Sequence, residues 1–391
     1  MIKKGYKETK IGISDENKVS VDFENQRFSK IPEDWEVKRL GEIITFQRGY
    51  DLPNNCRKKG SYPIVASNGI VGYHNEYKVK NGGITIGRSG NLGEPFYICE
   101  SFWPLNTTLY IKKFHNSYPR YIYYLLKTLN LKRYNSGSAV PSLNRNYIHP
   151  IKISVPPLKE QQKIAEILTK WDNHIETLEN LISKKEEYKK GLMQNLLTGK
   201  VRFPGFNEEW KEVKLGDISE IVTGTTPSTK LKEYYENGTY PWITPTDITY
   251  NKYISKSERY LTIQGLSKGR KLPSGSLLIT CIASIGKNAI LTKTGSCNQQ
   301  INAILPSSKN NIEFLYYLIE YNKEYLLKYA GHSATPILNK KSFSNLKFTI
   351  PPLKEQEKIA EILSLQDKEI EILKEKLELL KMQKKGLCRS F

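Results

Sequence analysis

Two sets of polar and basic residues lie in turn-rich stretches between short β-like runs, and these residue types suit nucleic-acid binding. Lysine and arginine bind phosphates and guanine edges, whereas asparagine and glutamine suit adenine edges. The first predicted DNA-binding set is Lys58, Lys59, Ser67, Asn68, Arg88, Ser89, Asn91, Asn106, Thr107 and Arg145. The second is Thr225, Thr226, Lys230, Thr244, Thr246, Asp247, Ser284, Lys287, Gln299, Gln300 and Lys340.

The motifs that catalysis on nucleic acid would require are missing from the sequence. An adenine methyltransferase needs an (N/D)PP(Y/F) motif, but the two PP pairs follow Val155 and Ile350. The chain contains no GxxxxGK(S/T) phosphate loop, and its histidines show no metal-ligand spacing. We therefore predict a binding protein without a catalytic centre, a metal site or a cofactor of its own.

The charge balance favours a polyanionic partner. Lysine and arginine number 60 against 40 aspartate and glutamate, a net charge of +20, and such a surplus attracts nucleic acid. The sequence contains no run of about 18 apolar residues, the length that a membrane-spanning helix needs. The five cysteines are scattered without a CxxC pair, which fits a reducing compartment. We expect a cytoplasmic protein that binds DNA and not a membrane.

An internal repeat determines the architecture that positions these residues. PPLKEQQKIAEIL, from Pro156, returns as PPLKEQEKIAEIL from Pro351 with one difference, and SAVPSLN returns as SATPILN at the same offset of 195 residues. The front ends match at an offset of 175, as with Trp35 and Trp210, so the second copy carries about 20 additional residues in its middle. Shared frames around different middles predict one scaffold carrying two different binding surfaces.

Each copy ends in a long predicted helix with apolar residues spaced alternately four and three apart. Such a heptad seam requires a partner helix, and we expect the other copy to provide it in antiparallel orientation. The alternative is that each helix packs only on its own globular region. The predicted coiled-coil seam is Ile164, Leu168, Trp171, Ile175, Leu178 and Ile182 in the first helix and Ile359, Leu363, Ile370, Leu373, Leu377 and Leu380 in the second.

The chain resembles the specificity subunit of type I restriction–modification enzymes. The resemblance rests on the two PPLKEQ elements with their helices, on LLTGKVRFPGF between the copies, and on the tandem frame from about Arg27 onward. It implies an α/β fold with pseudo-two-fold symmetry, in which two target recognition domains are separated by two long antiparallel coiled-coil helices. The expected segments are an N-terminal extension (1–26), recognition domain 1 (27–155), a first spacer helix (156–200), recognition domain 2 (201–350) and a second spacer helix (351–391).

The resemblance also implies a function. The family reads a two-part DNA site and directs two modification subunits, which use S-adenosylmethionine to methylate adenine, and restriction subunits, which translocate and cut DNA with ATP and Mg²⁺. Each recognition domain would read one half-site, and the helix pair would fix the number of unread base pairs between them. A recognition subunit of a two-part type II enzyme stays open as an alternative.

Overall fold

The structure is a computed structural model, and it describes residues 6–7, 31–135, 141–249, 251–330 and 336–390. The chain forms two compact units: the first contains Met1–Thr177 and Leu377–Phe391, and the second contains Leu178–Lys376. Most of the predicted extension 1–26 lies outside the described residues, as do Arg27 and parts of SAVPSLN and SATPILN.

The first unit mixes strands and helices. Its strands are β1 (Tyr6–Lys7), β2 (Ile31–Pro32), β3 (Glu36–Arg39), β4 (Ile44–Arg48), β5 (Tyr62–Ala66), β6 (Gly69–His74), β7 (Gly83–Gly87), β8 (Pro95–Ile98), β9 (Trp103–Pro104), β10 (Thr108–Phe114) and β11 (Lys152–Val155). Its helices are α1 (Leu40–Ile43), α2 (Pro119–Thr128), α3 (Arg145–Ile148) and the first half of the long α4 (Leu158–Leu197).

Two larger sheets and two short ribbons organise the first unit. An antiparallel sheet has the order β4-β10-β7-β8, and a second sheet, β6-β5-β9, pairs β5 with β9 in parallel. Ribbons β3-β11 and β1-β2 complete the set. Strand β7 is buried along most of its length because β10 and β8 flank it and α2 packs over it. Strand β11 instead alternates exposed Lys152 with buried Ile153, the period of a strand with one face in solvent.

The second unit repeats this plan. Its strands are β12 (Lys211–Lys214), β13 (Ile221–Thr223), β14 (Tyr240–Ile243), β15 (Tyr253–Ile254), β16 (Arg259–Leu261), β17 (Leu277–Thr280), β18 (Asn288–Leu291), β19 (Ser296–Cys297), β20 (Ile301–Ile304) and β21 (Lys347–Ile350). Its helices are α5 (Leu215–Ile218), α6 (Ile263–Lys268), α7 (Ile312–Tyr321), α8 (Lys323–Tyr329), α9 (Lys340–Ser344) and, up to Lys376, the long α10 (Leu353–Ser390).

Three sheets of the second unit correspond in strand order to sheets of the first. The order β13-β20-β17-β18 corresponds to β4-β10-β7-β8, the order β16-β14-β19 corresponds to β6-β5-β9, and β12-β21 corresponds to β3-β11. Strand β15 is the addition: it joins the edge of the main sheet in parallel to β18 and comes from the additional residues of the second copy. The predicted α/β class and internal repeat are confirmed.

Both long helices contribute to the core of each unit. In the first unit, Ile164 and Leu168 of α4 join the buried core of the sheet and α2, and Leu387 of α10 packs against it. In the second unit, Met193 of α4 and Leu363 of α10 lie in one core with α7. The ends of both helices therefore pack on a globular core as well as facing another helix. None of the described helices has the length and apolar character needed to cross a membrane.

Candidate nucleic-acid interface

The repeated PPLKEQ motif attaches each long helix to its globular region. In the first unit the indole Nε1 of Trp35 donates to Glu160 Oε2 at 3.1 Å, and in the second Trp210 donates to Glu355 Oε2 at 3.2 Å. Each pair joins the front of a repeat to the start of its helix, more than 100 residues later. The glutamate of the motif is therefore a docking residue, which explains its presence in both copies.

The glutamine of the same motif accepts a hydrogen bond from the backbone just before another helix. The buried Gln161 accepts a hydrogen bond from the backbone N of Tyr118 (2.9 Å), the residue before α2, and donates to the carbonyl oxygen five residues earlier (3.0 Å). Gln356 makes the same two bonds, with Asn311 N before α7 (3.0 Å) and its own upstream carbonyl (2.9 Å). Both ends of the amide are satisfied, as a buried amide requires.

In the first unit, a lysine near the end of α10 pairs with an aspartate of α4. The Tyr124 hydroxyl donates to Asp172 Oδ2 at 2.6 Å, and the Lys384 ammonium forms an ion pair with the same carboxylate. The ammonium also lies 5.4 Å from the centre of the Tyr124 ring. Burial and the neighbouring carboxylate raise the pKa of Tyr124, so its hydroxyl stays a donor.

The second unit repeats this network. Tyr317 donates to Asp367 Oδ2, and the Lys189 ammonium of α4 pairs with the same carboxylate and lies 5.5 Å from the Tyr317 ring centre. Lys185, one turn earlier on α4, pairs with Glu369 at 2.7 Å. As residue numbers rise along α4, from Lys185 to Lys189, those of their partners on α10 fall, from Glu369 to Asp367. The two helices therefore pair in antiparallel orientation. Lys185 and Lys189 continue the alternating spacing of three and four after Ile182, and both form ion pairs across the helix pair.

The predicted seam residues differ in burial. Ile164, Leu168, Leu178, Ile182, Ile359, Leu363, Ile370 and Leu377 are buried, and Trp171, Ile175, Leu373 and Leu380 are half-buried. Of the buried ones, Ile164, Leu168, Ile359 and Leu363 belong to the globular cores. The contacts that the sequence attributed to a partner helix are thus shared with the helix's own globular region near its start.

Loops at one end of the first unit's sheets bring several predicted residues together. Arg88 N donates to Thr107 O at 2.8 Å, and Arg88 O accepts from Leu143 N at 2.8 Å, so the backbone of Arg88 is held on both sides. The adjoining Ser89 bridges to Ser142. The Arg88 side chain is half-buried, and no described residue forms an ion pair with its guanidinium. The buried Ser67 lies against this loop, since its hydroxyl is 3.3 Å from where a Cβ at Gly90 would stand. Asp51, Ser67, Arg88, Ser89 and Asn106 are called the first loop cluster below.

Asn106 is fixed by a neighbour that sequence reasoning missed. Its amide nitrogen donates to Asp51 Oδ1, and its backbone N donates to Tyr50 O at 3.0 Å. The Arg48 guanidinium lies 3.8 Å from the same carboxylate. The frame alignment could have found Asp51, because it precedes Thr226, a predicted residue, by the 175 residues that separate the front ends of the two copies.

The second unit forms an equivalent cluster from different side chains. The Thr226 hydroxyl donates to Gln299 Oε1 at 2.5 Å, and Thr244 and Thr246 share a hydroxyl hydrogen bond of 2.8 Å. The second loop cluster, as named below, consists of Thr226, Thr244, Thr246, Ile282 and Gln299. Ile282 stands where the first unit has Ser89, since it bridges to Ile337 as Ser89 bridges to Ser142.

Cys281 occupies the position of Arg88. Its backbone N donates to Gln300 O (2.8 Å) and its O accepts from Leu338 N (2.9 Å), the same two bonds that hold Arg88. Burial raises the pKa of the Cys281 thiol to about 12, so it remains a neutral thiol. The scaffold is thus conserved between the units, while an arginine in one is replaced by a buried thiol in the other.

Other predicted residues lie beside the clusters. Asn68 is exposed in the turn between β5 and β6, and Asn91 is half-buried in the β7–β8 loop. Ser284 and Lys287 form the β17–β18 loop, where Lys287 O accepts from Thr280 N at 2.9 Å. Arg145 and Lys340 begin α3 and α9 and are exposed, and Gln300 is half-buried and bonds Asn298 at 3.0 Å.

The remaining predicted residues either lie apart from the two clusters or use their polar atoms within the fold. Lys58 and Lys59 lie near His74, at the far end of the β5–β6 hairpin from Ser67. Lys230 is exposed on the loop after β13. The hydroxyl oxygens of Thr107 and Thr225 are buried with no described partner. Asp247 uses its carboxylate to hold Thr244 N and Glu258 N, both at 2.8 Å, so it fixes a loop.

The clusters offer hydrogen-bond donors and acceptors rather than catalytic groups. Among the described residues, no group of three or more histidine, cysteine, aspartate or glutamate side chains could hold a metal ion. Rigid loops that present amide, guanidinium and hydroxyl groups suit recognition of base edges and phosphates.

Known proteins share these features. The model of the type I restriction modification DNA specificity domain matches residues 32–186 and again residues 207–382. The type I restriction enzyme MjaVIII specificity subunit of Methanocaldococcus jannaschii is 28% identical over 408 residues, covering 93% of each chain. The EcoR124I/EcoR124II specificity subunit of Escherichia coli is 29% identical over 263 residues, covering 62% of each.

A solved structure has the same fold. The type I restriction–modification S subunit from M. genitalium superimposes with a TM-score of 0.63 at 16% identity, covering 90% of this chain and 95% of that one. The two matches to the family model account for the duplicated scaffold. The chain belongs to the family of type I restriction–modification DNA specificity domains and carries that domain twice.

Proposed function

We propose that the chain is the DNA-recognition subunit of a type I restriction–modification complex and reads a two-part site. The observation that carries this proposal is the pair of loop clusters: equivalent backbone positions hold Ser89 and Asn106 in one unit and Ile282 and Gln299 in the other, and the position of Arg88 is taken in the second unit by the buried Cys281. Equivalent frames with different side chains suit two half-sites of different sequence. The net charge of +20 supports binding to a polyanion.

The domain boundaries follow from the same reasoning. Residues 27–155 and 201–350 form the two recognition domains, and the residues of both loop clusters, together with Arg145, Lys287 and Lys340, make the DNA contacts. Lys58, Lys59 and Lys230 contact phosphates at most, since they are exposed and stand apart from the fixed loops. The length of α4 and α10 sets the number of unread base pairs, as half-site spacing follows protein geometry in dimeric DNA readers.

Catalysis belongs to partner subunits in this proposal. Two modification subunits bind S-adenosylmethionine and methylate one adenine in each half-site, after flipping it from the stack. Restriction subunits supply ATP- and Mg²⁺-dependent translocation and cleavage. The assembly works in the cytoplasm, which the five free cysteines support.

Methylation mapping of the host genome tests the proposal. We expect a motif of two short halves separated by unread bases, with one modified adenine in each half, and we expect its methylation to disappear when this gene is deleted. Restoring the gene on a plasmid is the control. Methylation that persists without the gene, or an uninterrupted motif, would contradict the proposal.

A further inference from the structure

The two clusters hold one pair of side chains in equivalent positions. Behind each pair, a glycine lets one loop approach another: a Cβ at Gly49 would lie 2.1 Å from Leu105 O, and a Cβ at Gly224 would lie 2.2 Å from Asn298 O. Only glycine fits such close backbone contacts. This close approach brings together one side chain from each loop, the first located two residues after the glycine and the second located one residue after the carbonyl. They form the cross-loop pairs Asp51–Asn106 and Thr226–Gln299.

The two cross-loop pairs orient their amides in opposite directions. A carboxylate only accepts hydrogen bonds, so Asp51 must receive an N–H of Asn106, and the Asn106 carbonyl oxygen is left to face outward. In the second unit the Thr226 hydroxyl donates to the Gln299 carbonyl oxygen, so the Gln299 NH₂ group is left outward. Among the described residues, no further hydrogen bond engages either outward atom.

We propose that the first cross-loop pair recognises an amino-bearing base, adenine or cytosine, and the second a keto-bearing base, guanine or thymine. This inference rests on the proposed DNA-recognition function and assigns base chemistry to it. In the major groove the amino groups of adenine and cytosine are donors, whereas O6 of guanine and O4 of thymine are acceptors. An outward carbonyl beside a carboxylate matches the donors, and an outward NH₂ matches the acceptors.

The charge of Asp51 supports a base contact over a phosphate contact. A carboxylate is repelled by phosphates, and aspartate typically accepts from the cytosine amino group. The Arg48 guanidinium, 3.8 Å away, offsets part of the charge and allows the carboxylate to approach DNA. Thr226 carries no charge and imposes no such restriction. The difference between the two pairs therefore lies in the partner of the amide rather than in the amide itself.

Exchanging the partners tests the assignment. Thr226→Asp turns the Gln299 amide so that its carbonyl faces outward, and Thr226→Ser is the matched control that keeps the hydroxyl donor. Asp51→Thr makes the reverse change, and Asp51→Asn is its control, since it removes the charge but keeps an acceptor for Asn106. The full chain, assembled with its modification subunits, selects from a library of duplexes with randomised positions, and the selected duplexes are sequenced.

Each base pair places an amino base on one strand and a keto base on the other, so the change is defined on the strand that the pair contacts. On that strand we expect Thr226→Asp to replace a keto base by an amino base at one position of one half-site. The shift should be about fivefold or more, the lower end of what one well-placed base contact provides. Thr226→Ser and the other half-site should not change. Asp51→Thr should replace an amino base by a keto base at one position of the other half-site. If Thr226→Asp lowers the melting temperature so far that the protein is not folded, Asp51→Thr alone tests the assignment.

An unchanged motif in folded Thr226→Asp and Asp51→Thr protein, or an equal loss of affinity at all positions, would overturn the assignment. If the wild type selects no two-part motif, the proposed function fails instead, which separates the two failures.

Discussion

At the scale of single residues, the loop tips of the two units share a left-handed backbone position. Gly90 has a φ of 79° and Ala283, at the corresponding place in the β17–β18 loop, has a φ of 60°. Glycine adopts this conformation at no steric cost, whereas an L side chain costs roughly 1–2 kcal/mol there. The β17–β18 loop of the second unit is therefore strained at Ala283, whereas the corresponding loop of the first unit is not strained at Gly90.

This strain predicts opposite effects of two substitutions. Ala283→Gly should raise the free energy of unfolding by up to about 1 kcal/mol, because relieved strain exceeds the added chain entropy of glycine. Gly90→Ala should lower it by about 1 kcal/mol, with added crowding from the Ser67 hydroxyl, 3.3 Å from the new Cβ. Urea unfolding of the full chain measures both, and equal effects of the same sign would contradict the explanation.

Residue identity could be predicted more readily than residue role. The sequence indicated Arg88, Asn106 and Gln299 as polar loop residues, and the structure places them in the clusters. It could not separate them from Asp247, whose carboxylate holds a turn, because capping and exposed polar residues have the same composition. Asp51 was missed because no local pattern marks it, although its alignment with Thr226 across the two copies could have indicated it; its contact with Asn106, 55 residues away in the chain, is set by tertiary structure.

At the scale of elements, the helix pairing depends on polar residues within an apolar seam. Lys189 and Lys384 occupy equivalent places, and each meets an aspartate of the opposite helix and a tyrosine ring. The heptad pattern predicted the pairing of the helices from their apolar residues alone and assigned no partner to either lysine. Periodicity of apolar residues gives no information on where a charge finds its partner.

Replacing either lysine by methionine should weaken the helix pair. Lys189→Met and Lys384→Met each leave a partly buried aspartate without its cation, which should cost about 1–3 kcal/mol of stability, less than a fully buried pair because both sites are partly solvated. Thermal unfolding of the full chain measures the loss. Lys190→Met and Lys385→Met change exposed neighbours and serve as controls. If the controls lose as much stability, the ion pairs are not the cause.

The additional segment of the second unit brings a buried lysine to its helix pair. Lys252, which is 9% exposed, donates to Glu313 (2.6 Å), Ser364 (2.7 Å) and Tyr317 (3.1 Å). Burial alone would raise the pKa of Glu313, but the hydrogen bonds from Lys252, Tyr253 and Ser364 outweigh it and lower the pKa. The sequence showed that residues had been added, without indicating that they support the helix contact.

This lowered pKa predicts a pH dependence of stability. Because the folded-state pKa of Glu313 lies below the ordinary 4.5, its contribution is complete above pH 4.5 and is lost as the pH falls through the folded-state value. Glu313→Gln should therefore melt earlier than wild type at neutral pH and lose less stability between pH 5 and acidic pH. The exposed Glu324→Gln is the control. A Glu313→Gln protein with the acid sensitivity of wild type would contradict the prediction.

At the scale of the whole molecule, duplication separates scaffold from recognition. The repeat in the sequence predicted two α/β units and two long helices, and three sheets correspond between the units in strand order, with β15 added in the second. The loop conformations could not be predicted, because they depend on contacts such as those of Arg88 with Thr107 and Leu143 that no local pattern encodes. The same scaffold can therefore carry unrelated specificities with few changes outside the loops.

The central claim is that each loop cluster reads its own half of a divided site, and single-cluster variants test it most directly. Asn106→Ala and Gln299→Ala are introduced separately into the full chain, and the methylated motif of each strain is mapped by sequencing genomic DNA. The account predicts a two-part motif in which Asn106→Ala relaxes positions in one half only and Gln299→Ala relaxes positions in the other half only. Relaxation of both halves by either variant would contradict it.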